Sequence, residues 1–319
     1  MVSPSPRHSI MTCIFSVDVE DWFHILDLPS APRPAQWDSL PSRIEQAFLR
    51  LLDLFSETDV QVTCFFLGWV ARRFSHLVKE ADKRGHEIAS HGFSHQLVYE
   101  MTRREFLEDA RESRKILEDI VGRRVVGYRS AGFSVVEETS WFFEALIEAG
   151  YCYDSSVFPA KRGHGGLRTD QLAPFFVRSP SGGLIEFPIT VAKILGVPIC
   201  FFGGGYLRLF PLSLIEAMTS RVLEERRPVV FYIHPREVDP SHPRLPMSLG
   251  RRFKSYVNLR TTEAKIRCLL RRFRMTTFQS FIANDLNRVA GLSPIPAMIP
   301  GMARTAGSSD LGVGGVKRV

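Results

Sequence analysis

The 319-residue chain has few cysteines. Cys13, Cys64, Cys152, Cys200 and Cys268 are odd in number, and no two of them form a C-x-x-C pair. That excludes a disulfide-stapled scaffold and a thiolate zinc site. Cysteines set in apolar stretches act as small hydrophobes instead. No run of about 18 apolar residues occurs, so the sequence offers no membrane span. The opening MVSPSPRHSIMTCIFSVD lacks the apolar centre of a secretory signal. The expected location is therefore cytoplasmic, with a peripheral place at the inner membrane surface as the alternative. There is no Gly-rich phosphate loop, which argues against a dinucleotide fold, and no internal repeat of roughly 20–50 residues, which disfavours a solenoid. Basic and aromatic residues are not interleaved as in nucleic-acid modules, so no nucleic-acid partner is expected.

What is present is ordinary globular material, 45% hydrophobic and 24% charged, with a net charge of +7. Basic residues bunch at Arg251-Arg252 and at Arg271-Arg272-Phe273-Arg274. The second bunch reads as a solvated helix end or as a patch for anionic polymer or membrane headgroups.

Short apolar, β-rich runs alternate with helical periodicity about seven times. CIFSVD, QVTCFF, HEIAS, VVGYRS, YCYD and PVVFYIH read as strands. Helices are expected over about 42–55, 69–84, 102–121, 134–149, 212–226 and 261–273, with a last one over 279–289. Three capping boxes, Ser42–Glu45, Thr102–Glu105 and Ser134–Glu137, mark helix starts. The pattern predicts an α/β protein, a distorted (β/α) barrel of about seven parallel strands. It spans residues 13–288 as a single catalytic domain with an irregular insertion around 155–210. A flexible N-terminus (1–12) and a disordered tail (289–319) flank it.

Barrels of parallel strands gather functional groups at the C-terminal strand ends. Those positions hold Asp18, Glu20 and Asp21, then His91 and His95, then Arg129, Asp154 and His234. Asp18 and Glu20 have period-two spacing and share a side of their strand. The histidines form H-x-x-x-H in IASHGFSHQ. Alone, such a pair fits a polar turn as well as half of a metal site. With carboxylates and a guanidinium on the same rim, the set suits metal-assisted hydrolysis.

In order along the chain, SVDVED, SHGFSH, GYRSAG, YCYDSS and FYIHP make this sequence similar to the polysaccharide deacetylases of NodB homology type. The strings VDVEDWFH, GYRSAGFS and YDSSVFP resemble the subgroup associated with bacterial exopolysaccharide and exosortase loci. The resemblance covers roughly residues 13–282. It implies a hydrolase acting on a non-peptide amide, with Asp18 as general base, Arg129 as its partner and His234 as general acid tuned by Asp154. It implies a divalent metal, Zn²⁺ or alternatively Co²⁺ or Ni²⁺, on His91, His95 and Glu20, with Asp21 as the alternative third ligand. A backbone N–H near Arg129-Ser130 would steady the oxyanion. Substrate contacts are assigned to Trp22, Ser130 and Tyr206, and Arg236 to a substrate anion. The third motif departs from the family in reading R-S-A-G, where many members carry Pro after the Arg. His24, His86, His164 and His242 read as structural or exposed.

The expected substrate is an N-acetylated glycan or its lipid-linked oligosaccharide precursor in exopolysaccharide biosynthesis. The alternatives are a small-amide, ureide or cyclic-imide amidohydrolase on the same fold and an inactive glycan-binding barrel. The run Phe201-Phe202-Gly203-Gly204-Gly205-Tyr206 reads as a lid or sugar-binding loop, or as filler between strands.

Overall fold

The computed structural model describes residues 11–26, 28–160, 165–167 and 169–290. β1 (Cys13–Val19) is buried along its whole length. A continuous apolar run is what a parallel strand covered on both faces requires. Around it stand β2 (Thr63–Phe66), β3 (Glu87–Ser90), β4 (Gly127–Tyr128), β5 (Tyr153–Asp154), β6 (Phe175–Ser179) and β7 (Gly182–Glu186). β8 (Ala192–Ile194) and β9 (Val197–Ile199) form a separate hairpin, and β10 (Val230–Ile233) and β11 (Met275–Thr276) return to β1.

The strand order β10-β1-β2-β3-β4-β5-β7 is parallel throughout, seven strands as the sequence predicts. β6 adds antiparallel to β7, and β11 pairs with the start of β1. The segment after β7 spans the gap back to β10. Val230 N–H donates to the Thr190 hydroxyl at 2.8 Å, and Tyr232 N–H donates to the Phe202 carbonyl at 3.2 Å. The α/β barrel is thus distorted on the side of the 155–210 insertion.

The connecting helices are α1 (Ile44–Glu57), α2 (Gly68–Arg73), α3 (Ser75–Lys83), α4 (Arg103–Val121), α5 (Phe142–Ala149), α6 (Gly204–Leu209), α7 (Leu212–Glu224), α8 (Leu249–Tyr256), α9 (Leu259–Arg272) and α10 (Phe278–Asn284). Each of the longer ones buries an apolar stripe. In α1 it is Ile44, Ala47, Phe48, Leu51, Leu52, Leu54 and Phe55.

Three local expectations change. The helix predicted over 69–84 is two helices broken at Phe74 (φ −123°, ψ 50°), whose ring packs on the core and outweighs local periodicity. Of the three capping boxes, Thr102–Glu105 forms as expected. The Ser42 hydroxyl instead donates to Asp21, which also accepts the Arg43 N–H at 3.1 Å. The Ser134 hydroxyl bonds the Ala131 carbonyl and the Val98 N–H, while α5 starts only at Phe142.

At the N-terminal edge Met11 and Thr12 are already buried, and Thr12 Oγ1 donates to Asp285 at 2.9 Å. Packing therefore begins before residue 13, inside the stretch expected to be flexible. The predicted tail lies, from residue 291 on, outside the described residues. Cys13, Cys64, Cys152 and Cys200 are buried, and Cys268 is exposed. Among the described residues no helix is long and apolar enough to cross a membrane.

Candidate metal centre and active site

The end of β1 builds one wall of the site. Asp18 is its penultimate residue, and the Glu20 N–H turns back to the Asp18 carbonyl at 3.0 Å. This tight turn keeps both carboxylates on the cleft side while Val19 stays in the core. Asp21 points the other way. It accepts from Trp22 N–H, Ser42 and Arg43 N–H and so holds the start of α1. The alternative third ligand is therefore a structural cap.

β3 delivers the histidines through a turn rather than a helix. Gly92 (φ 72°) and His95 (φ 53°) both adopt left-handed backbone conformations. The turn closes until the two imidazole centroids are 5.2 Å apart. Asp109 of α4 clamps it, accepting from Phe93 N–H and Ser94 N–H at 2.8 Å each. Burial raises the Asp109 carboxyl pKa, and the three donors of this turn offset part of that effect. Sequence reading did not single out Asp109. Its only signal was an acid on the buried side of a long helix.

One ligand atom each from Glu20, His91 and His95 lies within 4.8 Å of the others, and all three residues are buried. His91 Nδ1–H donates to the Arg129 carbonyl at 2.9 Å, so its Nε2 keeps a free lone pair. Burial pushes the His91 imidazole down to about 4, which keeps it neutral. Glu20 Oε2 sits 2.8 Å from His95 Nε2. Burial alone would favour the neutral acid at Glu20. His95 and His234 overcome it and hold the carboxyl well below the usual carboxylate range. One anionic oxygen and two imidazole nitrogens are the donor set of an open catalytic divalent-metal site. The residues fit the ion that the motifs imply.

Arg129, at the end of β4, is fully buried. Its Nη1 donates to Asp18 Oδ1 at 2.7 Å and to the Ser16 hydroxyl at 2.8 Å, and Nε reaches the Ser155 carbonyl at 3.2 Å. A buried guanidinium held at this many points fixes the Asp18 carboxylate in place. The backbone N–H groups beside it are spent. Arg129 N–H donates to Ser90 O, and Ser130 N–H donates to the Ser156 hydroxyl at 2.8 Å. Neither expected oxyanion donor is available, and Gly132 and Phe133 line the cleft instead. Ser130 is buried and outside that lining.

His234 follows β10. Its Nε2 lies 2.9 Å from Glu20 Oε1 and 3.9 Å from Asp18 Oδ2. Its Nδ1 is 2.8 Å from Glu237 Oε1. Burial works against the imidazolium, but Glu20 and Glu237 outweigh it and push the pKa up to about 9. Glu237 is itself buried and ionised, since Arg208 of α6 sits 3.1 Å away and offsets its burial. Sequence reading missed Glu237. The signal was H-P-R-E, because in a 3₁₀ turn residues i and i+3 eclipse.

The carboxylate expected to tune His234 was Asp154, and this is corrected. Asp154 is paired in register with Glu186 across β5 and β7 and accepts from the Ser156 hydroxyl at 2.6 Å. Burial pushes Asp154 up to about 6 and raises Glu186 well above the carboxylate range, so the pair holds a proton between them.

Asp18, Glu20, His91, His95, His234 and Glu237 line a cleft of about 530 Å³. Of the proposed substrate contacts, Tyr206 is partly exposed at the rim, whereas Trp22 is buried at the wall with its indole N–H on the Pro41 carbonyl at 3.0 Å. His24 and His242 are buried and line the same cleft, His86 is buried in the fold, and His164 lies outside the described residues. The glycine run explains itself here. A Cβ on Gly203 would stand 2.1 Å from the Tyr232 ring, and Gly204 has φ 50°. Both let α6 settle close to β10 and bring Arg208 to Glu237. Gly204, Gly205 and Tyr206 line the cleft, while Phe201 and Phe202 of the same run anchor it in the core.

The family model described as polysaccharide deacetylase matches residues 36–151, and one described as a domain of unknown function (DUF3473) matches 155–283. The chain is 28% identical over 183 residues to a peptidoglycan deacetylase of Helicobacter pylori, covering 57% of this chain and 55% of the relative. It is 33% identical over 106 residues to YheN of Bacillus subtilis, a provisionally assigned polysaccharide deacetylase, covering 33% and 37%. The chain thus spans about half or less of the length of these curated relatives. A crystal structure of a provisionally assigned polysaccharide deacetylase from Mycobacterium smegmatis superposes with a TM-score of 0.60 at 20% identity, over 94% of this chain and 99% of that one, and so shares the fold. Residues 36–151 thus carry a polysaccharide deacetylase domain, the type found in hydrolases acting on the amide bonds of acetylated sugars, and the second matched domain continues it to residue 283.

Proposed function

We propose that this protein is a metal-dependent N-deacetylase that removes acetyl groups from N-acetylated amino sugars of a polysaccharide or its lipid-linked precursor. One observation carries the reading: the Glu20, His91 and His95 donor set stands beside two proton carriers, Asp18 and His234, each held by its own buried partner. The likeness to a peptidoglycan deacetylase supports a polymeric acetylated substrate. Zn²⁺ suits the donor set best, with Co²⁺ or Ni²⁺ as substitutes. Such an ion, when bound, would lower the pKa of a bound water to about 7 and polarise a carbonyl.

The residues divide the proton work. Asp18 keeps one oxygen on Arg129 and turns the other toward His234, so that second oxygen is placed to take a proton from the attacking water. His234 carries its proton on Nε2, facing the same centre, with Glu237 holding Nδ1–H. It donates that proton to the amide nitrogen as the C–N bond breaks, because an amine leaves poorly without it. Acetate and the free amino sugar are the products.

Two variants test the division. Asp18→Asn should keep its metal and lose turnover by about 10²–10⁴. His91→Ala should lose the metal as well. Full metal content in His91→Ala, measured by elemental analysis, would reject the ligand assignment. Undiminished turnover in Asp18→Asn would reject the base.

A further inference from the structure

The charges along the cleft do not balance. Its carboxylates are all engaged: Asp18 by Arg129, Glu20 by His95 and His234, and Glu237 by Arg208 and His234. Three cations in the same lining are not. Arg236 makes no side-chain hydrogen bond or ion pair among the described residues, although it stands two residues past His234 and lines the cleft. Arg251 of α8 donates to the Leu26 carbonyl at 3.0 Å, while its Nε is buried without a partner. Lys254, one turn further on, gives only its backbone carbonyl, to Arg208. The field of Arg236 is felt at His24, His234 and His242, so its guanidinium lies among the groups of the inner cleft.

An anionic ligand would supply the counter-charge that these cations lack along the cleft, and a guanidinium with free N–H groups offers a carboxylate or phosphate a bidentate seat. A neutral acetylated glycan offers these side chains hydrogen-bond acceptors but no counter-charge. We propose that the cleft contains an anion subsite, formed by Arg236 with Arg251 and Lys254, that selects glycans carrying a carboxylate or phosphate near the scissile acetamide. The anionic group comes either from a uronic acid residue or from a sugar phosphate of a lipid-linked precursor. The subsite deepens the deacetylase reading by naming its substrate class, yet its binding can be measured without turnover.

The test uses the metal-loaded protein and its Arg236→Gln, Arg236→Lys and Lys254→Gln variants. Calorimetry measures binding of a neutral N-acetylglucosamine oligomer, an alternating N-acetylglucosamine–glucuronate oligomer of equal length, and N-acetylglucosamine 1-phosphate. At least one anionic probe should bind tenfold or more tighter than the neutral oligomer. That margin should shrink as salt is raised, collapse in Arg236→Gln, narrow in Lys254→Gln and largely return in Arg236→Lys. Which probe shows it identifies the uronate or the phosphate source. Equal binding of all three probes by the wild-type protein, or a margin that survives in both Gln variants, would overturn the subsite. Acetate release from the same oligomers is read in parallel. Its absence with the binding margin intact would count against the deacetylase reading and leave the anion subsite standing.

Discussion

At the scale of single residues, the site works by giving each reactive group a dedicated partner. Arg129 holds Asp18, the Arg129 carbonyl fixes the His91 tautomer, Asp109 clamps the histidine turn, and Glu237 holds His234. Glu237 touches no ligand atom of the metal set and acts through His234 as a positioning residue. Glu237→Gln should lower kcat by roughly 10–100-fold, with metal content and KM held. Steady-state kinetics beside elemental analysis would show it, and an unchanged kcat would remove Glu237 from the machinery. The groups gathered at the cleft were legible in the sequence because strand ends announce themselves: an apolar run followed by Asp, His or Arg. Their supports were not. Asp109 lies on a helix and Glu237 in a turn, and what each bonds depends on the tertiary path. Asp154 misled for the same reason, since its place at a strand end says nothing about which neighbour it faces.

At the scale of elements, β5 and β7 meet in register at two acids, Asp154 and Glu186, fully buried and sharing a proton. Their pKa values are raised in the folded chain, so the folded state holds a proton that the unfolded state has released at neutral pH. The stability this pair contributes is present at low pH and falls as pH rises through about 6 and beyond. Glu186→Gln keeps an acceptor for the Val157 N–H and supplies a permanent donor to Asp154. The variant should gain stability over the parent as pH rises from 5 to 8 in urea titrations. A constant difference across that range would mean the pair carries no shared proton. α6 provides a second case. Gly203→Ala puts a methyl into the Tyr232 ring and should cost about 1–3 kcal/mol, with kcat falling as Arg208 loses its line to Glu237. An unaltered melting temperature would show that α6 is free to shift. Strand and helix identities followed from periodicity, but capping did not follow from spacing alone. Ser42–Glu45 fits the box pattern, yet a distant carboxylate, Asp21, took the hydroxyl. Spacing reports what is locally feasible, and tertiary partners decide.

At the scale of the molecule, parallel strands carry every candidate group to one rim, and the 155–210 insertion, which distorts the barrel, supplies the wall bearing Arg208 and Tyr206. The barrel was legible from the alternation of buried strands and helices. The 155–210 segment was legible as an irregular stretch, but its pairing was not, because β6 to β9 are short and their partners are set by the gap they fill. The proposed deacetylation rests on a metal held by Glu20, His91 and His95. Its most direct test is acetate release from N-acetylglucosamine oligomers, and from the glucuronate-containing oligomers in parallel, by chelator-stripped protein with and without added Zn²⁺ or Co²⁺. The account predicts no release from stripped protein and release restored by one equivalent of metal. Equal release with and without metal, or protein that binds no metal and releases nothing, would contradict it.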